Sequence, residues 1–189
     1  MKGNILRAVE PVPQGYPEPE QPLRIDIGCG RTKMDGWDGI DAIDFGQKHV
    51  HDVRSGLPFA DASVAEARSS HFVEHLTGEQ RIAFFNELHR VLKPGAQALI
   101  VTPNWSHACA YGDPTHQWPP MSEWYALYLN KAWREANAPH VGYTCDFDWS
   151  TGGSWDESIA CRNEETRGAM MRQNTNAWRD LIITLTKRA

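Results

Sequence analysis

Cysteine is scarce: the chain of 189 residues holds four, Cys29, Cys109, Cys145 and Cys161, and no two form a CxxC pair. That spacing supports neither a disulfide framework nor a dense cysteine metal site, and the four read as reduced thiols of a cytoplasmic protein. No apolar run approaches the roughly 20 residues that span a bilayer, so a membrane partner is excluded. The N-terminus has no apolar stretch of the kind a secretory signal carries. Basic residues are in deficit, 19 Lys+Arg against 24 Asp+Glu, for a net charge of -5. A general polyanion binder needs the opposite balance, which argues against a nucleic-acid partner. With 41% hydrophobic residues, the chain has enough apolar content for one globular domain with a core.

Proline is concentrated at the start. Pro11, Pro13, Pro17, Pro19 and Pro22 rule out a continuous helix or a full hydrogen-bonded strand there, so residues 1–22 read as an extended arm and residues 23–189 as a single domain. From Leu23 the pattern changes. Leu23-Arg24-Ile25-Asp26-Ile27 alternates and runs into Gly28-Cys29-Gly30, a strand closed by a tight loop. Further strands are expected over 37–41, 48–53, 64–69, 97–102, 143–149 and 180–187. Thr77-Gly78-Glu79-Gln80 has capping-box spacing. The helix it opens puts Phe84, Phe85, Leu88, Val91 and Leu92 on one stripe, and Pro94-Gly95 stops it. Met121, Trp124, Tyr125, Tyr128, Leu129, Ala132 and Trp133 mark a second amphipathic helix, and a polar helix is expected over 164–173. Strands alternating with helices imply an α/β fold with a mainly parallel sheet.

In such a sheet, ligands bind beyond the carboxyl ends of the strands, beside strand one. Gly28 and Gly30 stand there, where the absence of a Cβ lets backbone approach a ligand. Asp41 ends the second strand, and an acceptor-only carboxylate suits two ribose hydroxyls. A nicotinamide site fits poorly. Its GxGxxG fingerprint would need glycine where Lys33 stands, and Asp41 follows Gly30 by eleven positions instead of about 20. The first crossover is correspondingly short, so its helix is expected to be stunted.

Taken together, these segments resemble the class I S-adenosylmethionine-dependent methyltransferases, in particular the type 11 group. LRIDIGCG (residues 23–30) looks like the first glycine-rich motif, and Gly39-Ile40-Asp41 like the end of strand two. His51-Asp52 with Leu57-Pro58-Phe59 is similar to the adenine-side segment. Ser70-His71-Phe72-Val73-Glu74-His75-Leu76 resembles the stretch after strand four, and Leu92-Lys93-Pro94-Gly95 the turn into strand five. The resemblance implies a three-layer, Rossmann-like sheet with an antiparallel strand near one edge, S-adenosylmethionine as cofactor and S-adenosylhomocysteine as its product. It puts the methionine end at Asp26, Gly28, Cys29 and Gly30, the ribose at Asp41, the adenine at Asp52 and Val53, and Ser70 and His71 near the transferred methyl. Arg31-Thr32-Lys33 departs from the more glycine-rich continuation usual in that loop. Glu74 reads as a helix-start carboxylate favoured by the dipole, and His75 and His89 as structural or surface residues.

Residues 104–139 form a substrate-side insertion dense in aromatics. His107, Asp113 and His116 lie on its loops, beyond strand five, where acceptor should approach. An imidazole with a pKa near ~6.5 can take a proton from a hydroxyl or amine during methyl transfer. His116 is the first candidate for that role and His107 the second, with Asp113 orienting the ring. Their spacing matches no dense metal-ligand motif, so no metal is expected. The reading is a methyltransferase acting on a small molecule or glycan in preference to nucleic acid. A non-catalytic cofactor-binding module and a nicotinamide oxidoreductase are the alternatives.

Overall fold

The strand read near Leu23 forms as β1 (Arg24–Ile27) in a computed structural model that describes residues 21–188. Nearly all of the proline-rich arm lies outside the described residues. The remaining strands are β2 (Asp38–Asp41), β3 (His49–Val50), β4 (Val64–Ser70), β5 (Leu92–Pro103), β6 (Phe147–Trp155) and β7 (Trp178–Lys187). They form one seven-stranded sheet in the order β3-β2-β1-β4-β5-β7-β6. Neighbours from β3 to β5 pair in parallel, and β7 runs antiparallel between β5 and β6, as the sequence suggested for the last two strands. The helices are α1 (Gly78–Val91), α2 (Cys109–Gly112), α3 (Lys131–Asn137), α4 (Glu157–Ala160) and α5 (Glu164–Gln173). Only turns join β1 to β2, so the first crossover is stunted to the point of having no helix.

Alternation gives the sheet two unlike faces. Ile25, Ala67, Ala98 and Leu185 are in register across four strands, as are Ile27, Ser69, Ile100 and Ile183. Every one of them is buried. Against this face pack Phe84, Phe85, Leu88 and Val91 of α1, together with Met121, Ala126, Leu129 and Phe147. Fully burying each large apolar side chain of this core is worth about 1.5–3 kcal/mol. The other face carries charge: Arg24 pairs with Glu66 at 3.2 Å and Arg68 with Asp26 at 3.0 Å.

Helix α1 starts as its sequence dictates. Thr77 Oγ1 accepts from the Gln80 amide, and the Gln80 side chain accepts from the Thr77 amide, so two otherwise orphaned donors are satisfied. The helix ends at Val91, before Pro94, because Leu92 already pairs with Val64 of β4. Three expectations need correction. The long helix over 121–133 is two pieces, a 3-10 turn over Glu123–Leu129 and then α3, broken at Asn130. The Asn130 side chain caps α3 by accepting from the Trp133 amide at 3.0 Å, so an N-cap outcompetes the apolar stripe. Strand β6 begins at Phe147 and not at Tyr143, since the amides of Thr144 and Cys145 donate to Asn86 Oδ1 on α1 instead of to a strand. β3 is only two residues long, because Asp52 turns to cap the 3-10 turn over Val53–Ser55.

Arg81 of α1 is 1% exposed and donates to four backbone carbonyls. Nε reaches Val73 at 3.0 Å, Nη1 reaches Pro119 at 2.6 Å, and Nη2 reaches Glu74 at 3.3 Å and Gln117 at 3.1 Å. One side chain thereby fixes the segment after β4 to the distant segment around Gln117. Each buried acceptor left without a partner costs about 1–3 kcal/mol, so Arg81→Met is expected to lower the unfolding free energy by at least about 3 kcal/mol. Urea denaturation measures it, and a loss below about 1 kcal/mol would show that the carbonyls find other partners.

His89 generates a pH dependence. Burial, helped by Lys187, holds its pKa below the ordinary 6.5, and its ring sits edge-on to Phe147. The unfolded chain takes up a proton at this site before the folded one does. The contribution of neutral His89 is therefore intact above about pH 6.5 and declines as pH falls through that value towards the lowered folded one. Denaturation midpoints at pH 7.5 and 5.5 should lie closer together in His89→Leu than in the native chain.

Candidate active site

The glycine loop after β1 is held by backbone geometry that only glycine takes without strain. Gly28 has φ +67° and Gly30 φ +54°. Gly28 N donates to Ile40 O at 2.9 Å, and Gly30 N donates to Asp41 Oδ2 at 2.9 Å. The other carboxylate oxygen of Asp41 accepts from the Ile43 amide at 3.0 Å. Asp41 thus clamps the loop to the end of β2. Phe72 lies against Gly28, where a Cβ would collide with the Phe72 Cγ.

Beneath Phe72 opens a cavity of about 340 Å³ lined by Gly28, Asp41, Asp52, Val53, Phe72 and His75, among others. Of the nine residues expected to hold a cofactor, Gly28, Asp41, Asp52 and Val53 are brought together here. Asp52 caps the turn over Val53–Ser55 and is gripped by Arg54, with Nε at 2.9 and 3.0 Å and Nη2 at 2.6 Å. This guanidinium holds the Asp52 pKa at about 2. Gly30 joins the site through its bond to Asp41.

The other expected residues do not line this cavity. Asp26 is 2% exposed, and both its oxygens accept from Arg68 Nη1 at 3.1 and 3.0 Å. Burial pushes its pKa up despite that partner. Cys29 is buried, with its sulfur against Gly39, and burial raises its thiol pKa. Ser70 ends β4, paired with Val101. His71 has φ +53° and its ring lies between Glu74 Oε1 at 3.4 Å and Asp180 Oδ1 at 3.7 Å. Glu74 raises the His71 pKa.

The acceptor-side candidates separate. His107 Nδ1 accepts from the Cys109 amide at 3.1 Å and its Nε2 is 3.7 Å from Asp156, which makes it a brace for α2. His116 instead meets His75 edge-on, with ring centroids 4.8 Å apart, and His75 lines the cavity. Asp113 is 4.0 Å from His116 Nε2, and its Oδ1 accepts from the Thr115 amide and hydroxyl at 2.8 and 2.7 Å. Thr115 Oγ1 in turn bonds His75 Nδ1 at 2.9 Å.

The same arrangement of sheet and loop occurs in solved structures. A methyltransferase from Archaeoglobus fulgidus described as SAM dependent superposes with TM-score 0.64 at 21% identity, covering 89% of this chain and 87% of the other. A geranyl diphosphate C-methyltransferase from Streptomyces coelicolor, solved with Mg2+, geranyl diphosphate and S-adenosyl-L-homocysteine, gives TM-score 0.54 at 14% identity, covering 88% and 72%. A Methanosarcina mazei protein described as a SAM-dependent methyltransferase gives 0.54 at 17%, covering 91% and 95%. At these identities the likeness is one of fold. Among curated proteins none matches the chain in sequence. Residues 32–100 match the methyltransferase domain family Methyltransf_11. The fold of this chain is that of the class I S-adenosylmethionine-dependent methyltransferases.

Two parts of the candidate site escaped sequence reasoning. Glu74 and His75 lie within the stretch after strand four, but in sequence Glu74 reads as a helix-start carboxylate and His75 as a structural or surface residue. The one available signal was their adjacency to Phe72 in a loop already assigned to the cofactor side. Arg81 left no signal at all, since a helical arginine reads as surface. The glycine loop yields a direct test. Gly28→Ala forces a Cβ into a left-handed residue, at about 1–2 kcal/mol, and displaces Phe72 from the roof of the cavity. A lower melting temperature together with weakened ligand binding is expected by calorimetry; a change in neither would mean that the loop relaxes freely.

Proposed function

We propose that this chain is a methyltransferase that binds S-adenosylmethionine in the cavity beside Phe72 and transfers its methyl group to a small-molecule or glycan acceptor that approaches from residues 104–139. The observation that carries the cofactor half is the state of Asp41. Each of its oxygens carries one backbone hydrogen bond, and a carboxylate oxygen has a second lone pair to offer, so the pair can still accept from two ribose hydroxyls. Gly28 and Gly30 would leave space for the methionine end, with Asp26 behind them holding β1 to β4 through Arg68. Asp52 and Val53 would face the adenine.

When bound, the cofactor's sulfonium supplies an already activated methyl group. The chain's task is then to bring acceptor and methyl into line and exclude water, which accounts for much of the rate in such bimolecular steps. Phe72 roofs the cavity, and His75 forms its border toward His116. His116, in preference to His107, stands where it can assist loss of the acceptor's proton, and Asp113 orders the loop that carries it.

The insertion's surface supports that acceptor class. Trp105, Tyr111, Trp118 and Trp124 are exposed by 48%, 56%, 78% and 67%, and flat aromatic surface suits sugar rings and apolar small molecules. Lys131 and Arg134 are the only cations between residues 104 and 139, and Arg134 is buried with its donors spent on Tyr128 and Cys145, too little for a phosphate backbone. All four cysteines are free, consistent with a reducing cytoplasm, and no described helix is long and apolar enough to cross a membrane. Isothermal titration should show S-adenosylhomocysteine binding and no heat with NAD. Asp41→Ala should weaken that binding by about 1.5–3 kcal/mol, the worth of a charged hydrogen bond. Unchanged affinity in that variant would move the ribose elsewhere.

A further inference from the structure

Glu74 is 4% exposed, yet neither of its carboxylate oxygens has a hydrogen-bond partner. The half-exposed ring of His71, with Nδ1 3.4 Å from Glu74 Oε1, approaches without hydrogen-bond geometry. A buried carboxylate in that condition is expensive unless something positive completes it. Its surroundings supply the means. One ligand atom each from Glu74, His75 and His116 lie within 4.8 Å of one another.

The partners of the two imidazoles fix which nitrogen is free. Thr115 Oγ1 commits its proton to Asp113 Oδ1, so toward His75 Nδ1 it can only accept, and His75 carries its proton on Nδ1. His116 Nδ1 is 3.2 Å from the Ala110 carbonyl, which only accepts, so that ring too is protonated on Nδ1. Both rings therefore keep an Nε2 lone pair. Oriented imidazoles whose second nitrogen donates to a carbonyl, or through a hydroxyl to a carboxylate, are the outer arrangement of metal-binding histidines. Arg81 holds the two contributing segments together through the carbonyls of Glu74 and Gln117.

From this geometry we infer a divalent metal site in which Glu74 Oε, His75 Nε2 and His116 Nε2 ligate a first-row transition ion. Two nitrogens and one carboxylate oxygen favour manganese, iron, cobalt or zinc over magnesium or calcium. Three protein ligands leave coordination positions open, and His75 borders the cavity under Phe72. The fitting occupant of an open position is a hydroxyl oxygen of the acceptor, whose acidity the ion raises. This last part rests on the proposed cofactor site. The hydroxyl proton leaves to solvent, the oxygen forms a bond to the methyl carbon, and the sulfur–methyl bond breaks with its electron pair retained by sulfur. His116 then assists as a ligand and not as a base, since the ion takes the lone pair that a base would use.

The test uses the full chain, freed of metal with a chelator and titrated with Co2+ without cofactor. Bound Co2+ is read from its visible absorption, and Mn2+ from loss of its free paramagnetic signal. One ion per chain is expected. Glu74→Gln and His116→Ala should each abolish stoichiometric binding, and Thr115→Val should weaken it by about 10–100-fold. His140→Ala, at an exposed histidine, should leave it unchanged. Melting curves establish that each variant is folded, and His116→Ala, on a loop, stands in if Glu74→Gln is not. Absence of stoichiometric binding by the native chain, or binding that survives both ligand substitutions, overturns the site. Affinity for S-adenosylhomocysteine is measured on the same samples. Metal binding without it would remove the cofactor reading and leave the ion site standing, and the reverse result would do the opposite.

Discussion

The buried guanidinium of Arg81 is the contact on which the site's geometry depends. Five N–H donors in a rigid fork can satisfy several carbonyls at once, and here they gather Val73, Glu74, Gln117 and Pro119 around one point inside the protein. Without it, the loop after β4 and the loop carrying His116 would be joined by the Gln117 to Glu74 backbone bond and by the contacts of His75 with Thr115 and His116. Residues more than 40 positions apart meet because a charge has been buried and fully hydrogen-bonded. Burying a charge in this way makes the junction well defined at a cost in desolvation.

The sheet accounts for how much of the fold could be read from the chain. Ile25 and Ile27 alternate with Arg24 and Asp26, so β1 announces itself by period two, and the run Ala98–Val101 announces β5 by its unbroken apolar character. The capping box at Thr77 and the stripe from Phe84 to Val91 fixed α1 for the same reason, since both are local. Misreadings fell where a tertiary contact overruled a local pattern. Asn130 broke an apolar stripe by capping, and Asn86 drew Thr144 and Cys145 onto α1 and away from β6. The polar run Ser150–Trp155 became a strand only because β7 offered it a partner.

The candidate site divides in a similar way. Gly28, Gly30 and Asp41 stand out because close backbone approach and acceptor-only oxygens need those residue types at those strand ends, and Asp52 by its place in a resembling motif; Gly28, Asp41 and Asp52 line one cavity. Asp26, Cys29, Ser70 and His71 share the same motifs but turn away from the cavity into the sheet or an ion pair. Whether a motif residue faces a ligand depends on pleat and on partners such as Arg68, neither of which a linear pattern encodes. The Glu74–His75–His116 grouping was invisible for the plain reason that Thr115, Ala110 and Arg81 create it from three separate stretches of chain.

The missing helix between β1 and β2 has a consequence for how the molecule yields. Strands β2 and β3 are short, at one edge of the sheet, and secured by the Asp41 clamp and glycine turns where the other half has a packed helix. Cooperative units with few buried apolar contacts open at lower free energy than the core. Amides at that edge should then trade their protons for solvent deuterons long before those of β5 and β7. The ligand pocket would thus belong to the part of the protein that breathes, and occupancy would be felt first as a slowing of that local opening.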